Sequence, residues 1–242
     1  MIDRLEAFII TERDRYPTRE NNIFAIALSD VLAYRQFLGL IQARLLAASA
    51  AYANASTAFS DSVRGHSGEM TAVQMQLIGR LPVLGVALRL EIESFYLFAK
   101  ILLDEAARFL EYYFGQVRGT PLDSHDDLVK GWAEFCRQHG IDAAPEFDEG
   151  AGSLKKDIAD FRDYQIAHHK NPRTLRHFTF DATGVSRMGL SAIYPTENDR
   201  QVESKATHDL LTAIDSHLEN VLSIIQANRQ RSRLLRAPPA RL

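Results

Sequence analysis

Apolar residues recur at helical spacing from the first turn of the chain: Ile2, Leu5, Phe8 and Ile9. They predict an amphipathic helix from Met1 to about Arg15. Tyr16-Pro17 ends it, because a residue before proline avoids the α region. A second, long helix is predicted from Arg19 to about Val63. Its first half carries Ile23, Phe24, Ile26, Ala27, Val31, Tyr34 and Leu38, and Ala47–Ala58 is rich in Ala, Ser and Asn. Small residues there admit the close approach of another helix. Gly65-His66-Ser67-Gly68 is a break. Glu69–Gly79 reads as helix, and Pro82 begins or kinks the next one.

Leu84 to Phe114 is strongly patterned, with Leu84, Leu88, Ile92, Phe95, Leu102, Phe109 and Tyr113, and ends at Gly115. Ser124 is a candidate N-cap, and Asp126 and Asp127 complement the dipole in the first turn. That helix is expected to end at His139-Gly140. Ile141–Gly152 reads as a loop. Ser153 then caps a helix reaching about Lys170, and Asn171-Pro172 stops it.

The pattern changes at Thr174. Thr174–Asp181 is rich in β-formers, Ala182-Thr183-Gly184 follows, and Val185–Tyr194 is a weaker second run, so together they predict a β-hairpin. A last helix is predicted from about Asn198 to Asn228, striped by Leu210, Leu211, Ile214, Leu218, Leu222 and Ile225. The expected fold class is therefore all-α: a bundle of long antiparallel helices with a small β-hairpin inserted before the last helix. One domain spans 1–228, and 229–242 is expected to be a flexible basic tail.

Composition narrows this picture. At 242 residues, 46% hydrophobic and 24% charged, the chain is an ordinary globular one, able to bury a sizeable core. The single Cys136 excludes an internal disulfide and a multi-Cys zinc site, and suggests a reducing, cytoplasmic setting. The N-terminus is charged at once and lacks a signal-peptide pattern. Arg89, Glu91, Glu93 and Lys100 interrupt the longest apolar stretch, which excludes a membrane span there. Twenty-two of the 28 basic residues are Arg, in keeping with either GC-rich coding or a need for bidentate contacts. Residues 226–242 hold five of them, at 229, 231, 233, 236 and 241, and no acid. With those five removed from the net charge of −3, the rest of the chain carries −8. Arg229, Arg231, Arg233 and Arg236 are therefore candidate contacts for RNA or an acidic partner. A solvated helix end is the other reading of the same cluster.

Several chemistries are absent from the motifs. There is no Gly-rich phosphate loop, no His-Glu-x-x-His, no Glu followed by His at i+3 and no Gly-x-Ser-x-Gly. His125-Asp126 and His208-Asp209 would need further ligands on other helices to hold a metal. No cofactor and no metal is expected.

The informative stretch is Asp157–Pro172. At 100° per residue, Leu154, Ile158 and Phe161 share a stripe about 60° wide, with Gln165 inside it. His168 and His169 flank the stripe, Arg162 borders it, and Asp163 lies further round. Polar groups beside a packing face need partners or a function. An imidazole can deprotonate a 2′-hydroxyl or protonate a leaving oxygen, and a guanidinium can hold the scissile phosphate. The pattern suits metal-free RNA cleavage, with two copies of the helix facing across a two-fold to supply both acid and base. Structural duty explains the same residues: His at a helix C-terminus, and Arg162 paired with Asp157 or Asp163.

Arg162-Asp163-x-x-Ile166-Ala167-His168, on the penultimate helix of an all-α chain, resembles the signature of the HEPN superfamily. That signature is Arg, four to six residues, then His. Here five residues separate Arg162 from His168 and six separate it from His169. The Ile-Ala-His ending is similar to that of members associated with abortive infection. The resemblance covers about residues 80–228. It implies a helical bundle that dimerises through the motif helices, acting as a metal-independent endoribonuclease of toxin or antiviral type. Other members of the superfamily are inactive interaction or regulatory modules. It further implies that Arg162 binds phosphate, that His168 is the general acid or base with His169 second, and that Asp163 orients one of them. The Ile-Ala-His ending favours His168 and helical geometry favours His169. RNA, a second copy and a regulatory protein are the expected partners.

Overall fold

Leu5 and Phe8 bury one face of α1 (Ile2–Glu12), which stops three residues short of the predicted end. In this computed structural model the described residues are 1–142, 145–160, 162, 174–180, 186–193, 201–203 and 206–236. The predicted second helix consists of α2 (Arg19–Asn22) followed by α3 (Phe24–Val63).

The largest departure from the expected elements is α4. It is one helix of 43 residues, Ala72–Phe114, running through Pro82. The sequence signals for two elements were Gly79 and Pro82, but packing against α3 holds the backbone helical through both. Its start is fixed by a capping box. Gln74 N donates to Thr71 Oγ1 at 3.2 Å, and Thr71 N donates to Gln74 Oε1 at 2.8 Å. Gln74 Nε2 also donates to Ser62 O at 2.6 Å, which ties the tip of α4 to the end of α3. Contacts between Arg44 and Glu91, Phe37 and Phe98, and Phe24 and Phe109 run in opposite sequence directions. The two helices therefore form an antiparallel hairpin about 60 Å long.

Helix α5 (His125–His139) has the predicted boundaries. Ser124 Oγ accepts from Asp127 N, and Gly140 ends the helix with φ 63° and ψ 33°. Only this left-handed conformation carries the chain off the helix here, and a Cβ at Gly140 would also meet the Arg231 guanidinium. Gly140→Ala is expected to lower unfolding stability by about 1–2 kcal/mol, measured by urea denaturation.

Ile141–Gly152 was expected to be a loop. Instead α6 spans Pro145–Leu154, with Phe147, Ala151 and Leu154 buried at i, i+4 and i+7. Gly150 and Gly152 lower helix propensity, but burial of that face outweighs them. The final helix α7 (Thr207–Ala227) starts later than the predicted Asn198. Before it, the backbone of β1 (Thr174–Phe180) pairs antiparallel with β2 (Ser186–Ile193), from Phe180 opposite Ser186 to Thr174 opposite Ala192. A short β3 (Gln201–Glu203) lies along the other edge of β2.

The core is aromatic at both ends of the body. Phe24, Phe109, Tyr113 and Tyr16 pack edge and face, and the Tyr16 hydroxyl donates to that of Tyr113 at 2.9 Å. Trp132 stacks with Phe135 and packs on Phe147. Arg35, nearly buried, clamps Asp215 bidentately at 2.5 and 2.8 Å and joins α3 to α7. The described residues are thus mainly helical. Among the described residues no helix is long and apolar enough to cross a membrane.

Candidate functional site

The motif segment begins where α6 ends, without a break. Lys155–Asp160 continue the rod in π-helical form, and the backbone at Arg162 is of the same type. A π-helix closes i→i+5 hydrogen bonds, so each residue turns the chain by less than in an α-helix. The 100° spacing used to place the motif side chains therefore does not hold beyond Leu154. The apolar stripe survives the change: Leu154, Ile158 and Ala159 are buried, and the segment packs on α4 and α5.

Polar contacts also fasten the segment to α5. Lys155 Nζ donates to Asp126 Oδ1 at 2.9 Å, and Lys130 donates to the second oxygen. These two hydrogen bonds hold the Asp126 carboxyl below its usual range. Ser153 Oγ donates to Asp157 Oδ2 at 3.2 Å. Arg162 is half-buried. Asp163, His168 and His169 lie outside the described residues, as does Phe161.

Beneath this segment the structure brings together a group of titratable residues, of which the sequence had marked His125 and Asp126 as a His-Asp pair but not Lys100, Asp104 or His217. Lys100 and Asp104 form an ion pair on α4, and Lys100 is buried. The backbone N of His125 donates to Asp104 Oδ1 at 2.8 Å. The His125 ring is 0% exposed and meets His217 of α7 edge-on, 5.3 Å between centroids. His217, 2% exposed, stacks on Phe147 of α6 at 5.0 Å. None of the four ring nitrogens has a hydrogen-bond partner among the described residues. Burial lowers His125 to about 4, and the neighbouring Lys100 charge pushes the same way. Burial lowers His217 to about 3, with His125 adding to the effect. Both imidazoles are neutral at pH 7 and closed to solvent, so they serve the packing of α5, α6 and α7.

The sequence held a signal for His217. It stands three residues after Ile214 and four before Val221, inside the apolar stripe of the last helix. His125 was marked only as half of a His-Asp pair, and its burial was not legible, because an N-terminal helix position is ordinarily exposed.

The arginines after α7 are not a free tail as far as Arg236. Two short 3₁₀ turns, Arg229–Arg231 and Arg233–Leu235, fold back on the bundle. Leu234 is buried, and Ser232 Oγ donates to Tyr113 O at 3.0 Å. Arg229 pairs with the fully buried carboxylate of Glu12. Arg231 Nη1 donates to His139 O at 3.3 Å. Arg233 Nε donates to Tyr112 O at 2.6 Å, with its guanidinium 4.8 Å over the Tyr112 ring. The expectation of a flexible tail from 229 is thus corrected: the buried Leu234 and the orphan carbonyls at the ends of α4 and α5 capture the chain. A groove of about 440 Å³ beside Arg233 is lined by Asp30, Glu105, Glu111 and Asp123 as well as Arg108. It is more acidic than basic, which does not suit a phosphate backbone.

Among the described residues no group of three or more His, Cys, Asp or Glu could hold a metal ion. The only cysteine, Cys136, is buried and its thiol is pushed up to about 12. Comparison of the chain with protein-family models, curated proteins and solved structures yields no match.

Proposed function

We propose that the protein is an HEPN-like, metal-independent endoribonuclease of toxin or antiviral-defence type, with a composite site where two copies meet. The observation that carries this reading is the π-helical run Lys155–Asp160 leading into Arg162. Single π-helical turns concentrate at functional sites, where the widened turn re-aims side chains. The run buries Ile158 and is tied to α5 by the Lys155–Asp126 pair, which supports a fixed base for the motif segment.

In the proposed reaction Arg162 holds the scissile phosphate and offsets the charge of its pentavalent transition state. His168, or His169 beside it, takes the proton of the attacking 2′-hydroxyl. The same histidine of the second copy protonates the leaving 5′-oxygen, and Asp163 orients the imidazole. The products are a 2′,3′-cyclic phosphate and a 5′-hydroxyl.

The test compares wild type with an Arg162→Ala/His168→Ala/His169→Ala variant on RNA, in the presence of a chelator. Loss of one positioned acid–base group slows a reaction by about 10²- to 10⁴-fold, so the triple variant is expected to lose at least that much. Equal cleavage by the two proteins overturns the reading. A second reading, a non-catalytic interaction or regulatory module, is favoured by the exposed apolar residues along α4. It predicts no RNA cleavage by wild type and a loss of stability in the triple variant.

A further inference from the structure

Val83, Leu90, Leu97, Asp104 and Glu111 stand seven residues apart on α4, so they follow one line along the helix. The line is covered at its C-terminal end. Asp104 accepts from the N of His125, and Glu111 accepts from the N of Leu122 at 3.1 Å. Before Lys100 nothing among the described residues covers it: Val83, Leu90 and Leu97 are 71%, 57% and 47% exposed, and Val86 beside them is 67% exposed. The composition is the reverse of what a monomer needs. The covered end is acidic and the bare end is aliphatic. The apolar face continues sideways onto α3, where Phe98 packs edge-on against the exposed Phe37 at 5.8 Å.

From this arrangement we infer that a second copy of this chain covers the bare face, packing α4 against α4 in nearly antiparallel fashion about a two-fold close to Leu90. Three features select a second copy. First, the spacing Val83, Val86, Leu90, Leu97 is that of a helix–helix seam. A two-fold at Leu90 also sets Val83 of one copy near Leu97 of the other. Second, the charges beside Leu90 reverse along the helix: Arg89 stands on the flank before it, and Glu93, seven residues after Val86, stands on the seam after it. The two form an exposed i,i+4 pair within one copy. An antiparallel neighbour sets each Arg89 within about one helical turn of the other copy's Glu93, whereas a parallel one sets Glu93 beside Glu93. Third, these side chains present on the order of 500 Å², at the upper end of what monomers expose, and with the helix flanks they approach the ~800 Å² each partner contributes to a stable dimer.

The inference takes this two-fold as the one that also pairs the copies in the proposed ribonuclease; cross-linking reports the face and RNA cleavage reports the chemistry, so the two readings fail separately. Sedimentation at tens of micromolar is expected to give a dimer for wild type. Leu90→Arg is expected to give a monomer with unchanged helical circular dichroism, Leu90 being exposed. Under mild oxidation Leu90→Cys is expected to cross-link to itself. Val83→Cys and Leu97→Cys are expected to cross-link when mixed and to do so poorly alone. Cys136 is buried, so wild type is the blank. A monomeric wild type, a dimeric Leu90→Arg, or Val83→Cys linking to itself as readily as to Leu97→Cys overturns the inference.

Discussion

Between pH 6.5 and pH 4.5 the protein is expected to lose about 5 kcal/mol of stability through two histidines. In the unfolded chain His125 and His217 titrate near 6.5. In the fold burial lowers them to about 4 and about 3. Above pH 6.5 both states hold the rings neutral, and their contribution to stability is fully present. As the pH falls below 6.5 the unfolded chain binds two protons that the folded chain refuses, so the equilibrium moves towards unfolding. Each site contributes about 1.4 kcal/mol per pH unit until its folded value is reached. A loss of that size rivals the whole stability of an ordinary domain.

The surroundings reinforce the direction. Lys100 and Lys155 face His125 from α4 and from the π-helical run, opposed only by Asp126 of its own helix. Among the described residues the rings packed against His217 are the second imidazole and that of Phe147. Urea denaturation at several pH values measures the slope directly. The double variant His125→Leu/His217→Leu keeps the volume nearly constant and removes both protons, so its stability should be almost flat across this window. A wild-type slope no steeper than the double variant's excludes the mechanism.

Where the sequence was readable, both the signal and its competitor were local. Helix α5 carries Ser124 at one end and Gly140 at the other, and both ends lie where they were expected. Helix α4 was cut at Pro82 because a single helix of 43 residues is held by its partner α3, which no local window contains. Helix α6 was hidden by Pro145, Gly150 and Gly152, although Pro suits the first turn and Phe147, Ala151 and Leu154 kept their spacing. At the candidate site the stripe of Leu154 and Ile158 was legible from periodicity. The π-helical form was not, since it depends on packing against α4 and α5. His217 was legible only from its place inside the apolar stripe of α7, since nothing local shows that an imidazole there is buried.

Arg229→Ala is expected to destabilise the fold by about 3 kcal/mol, the low end of the range for breaking a buried ion pair. Glu12 closes α1 with its carboxylate 0% exposed, and it has two cations: Arg15 at 3.0 Å and Arg229 from the turn after α7. The Arg15 side chain is half in water, while Arg229 is 35% exposed and reaches across from the other end of the chain. Removing Arg229 leaves a buried carboxylate with one solvated partner and unties α1 from the segment that carries Leu234 into the core. A fall of roughly 6–12 °C in Tm follows for a chain of this size. Glu12→Gln in the Arg229→Ala background removes the stranded charge and should recover part of the loss, which a double-mutant cycle measures. The same variant weighs the two roles open to this arginine. If Arg229 served only RNA, the substitution would weaken binding in a salt-dependent way and leave Tm unchanged. The Glu12 pair predicts the opposite order, with the larger change in Tm.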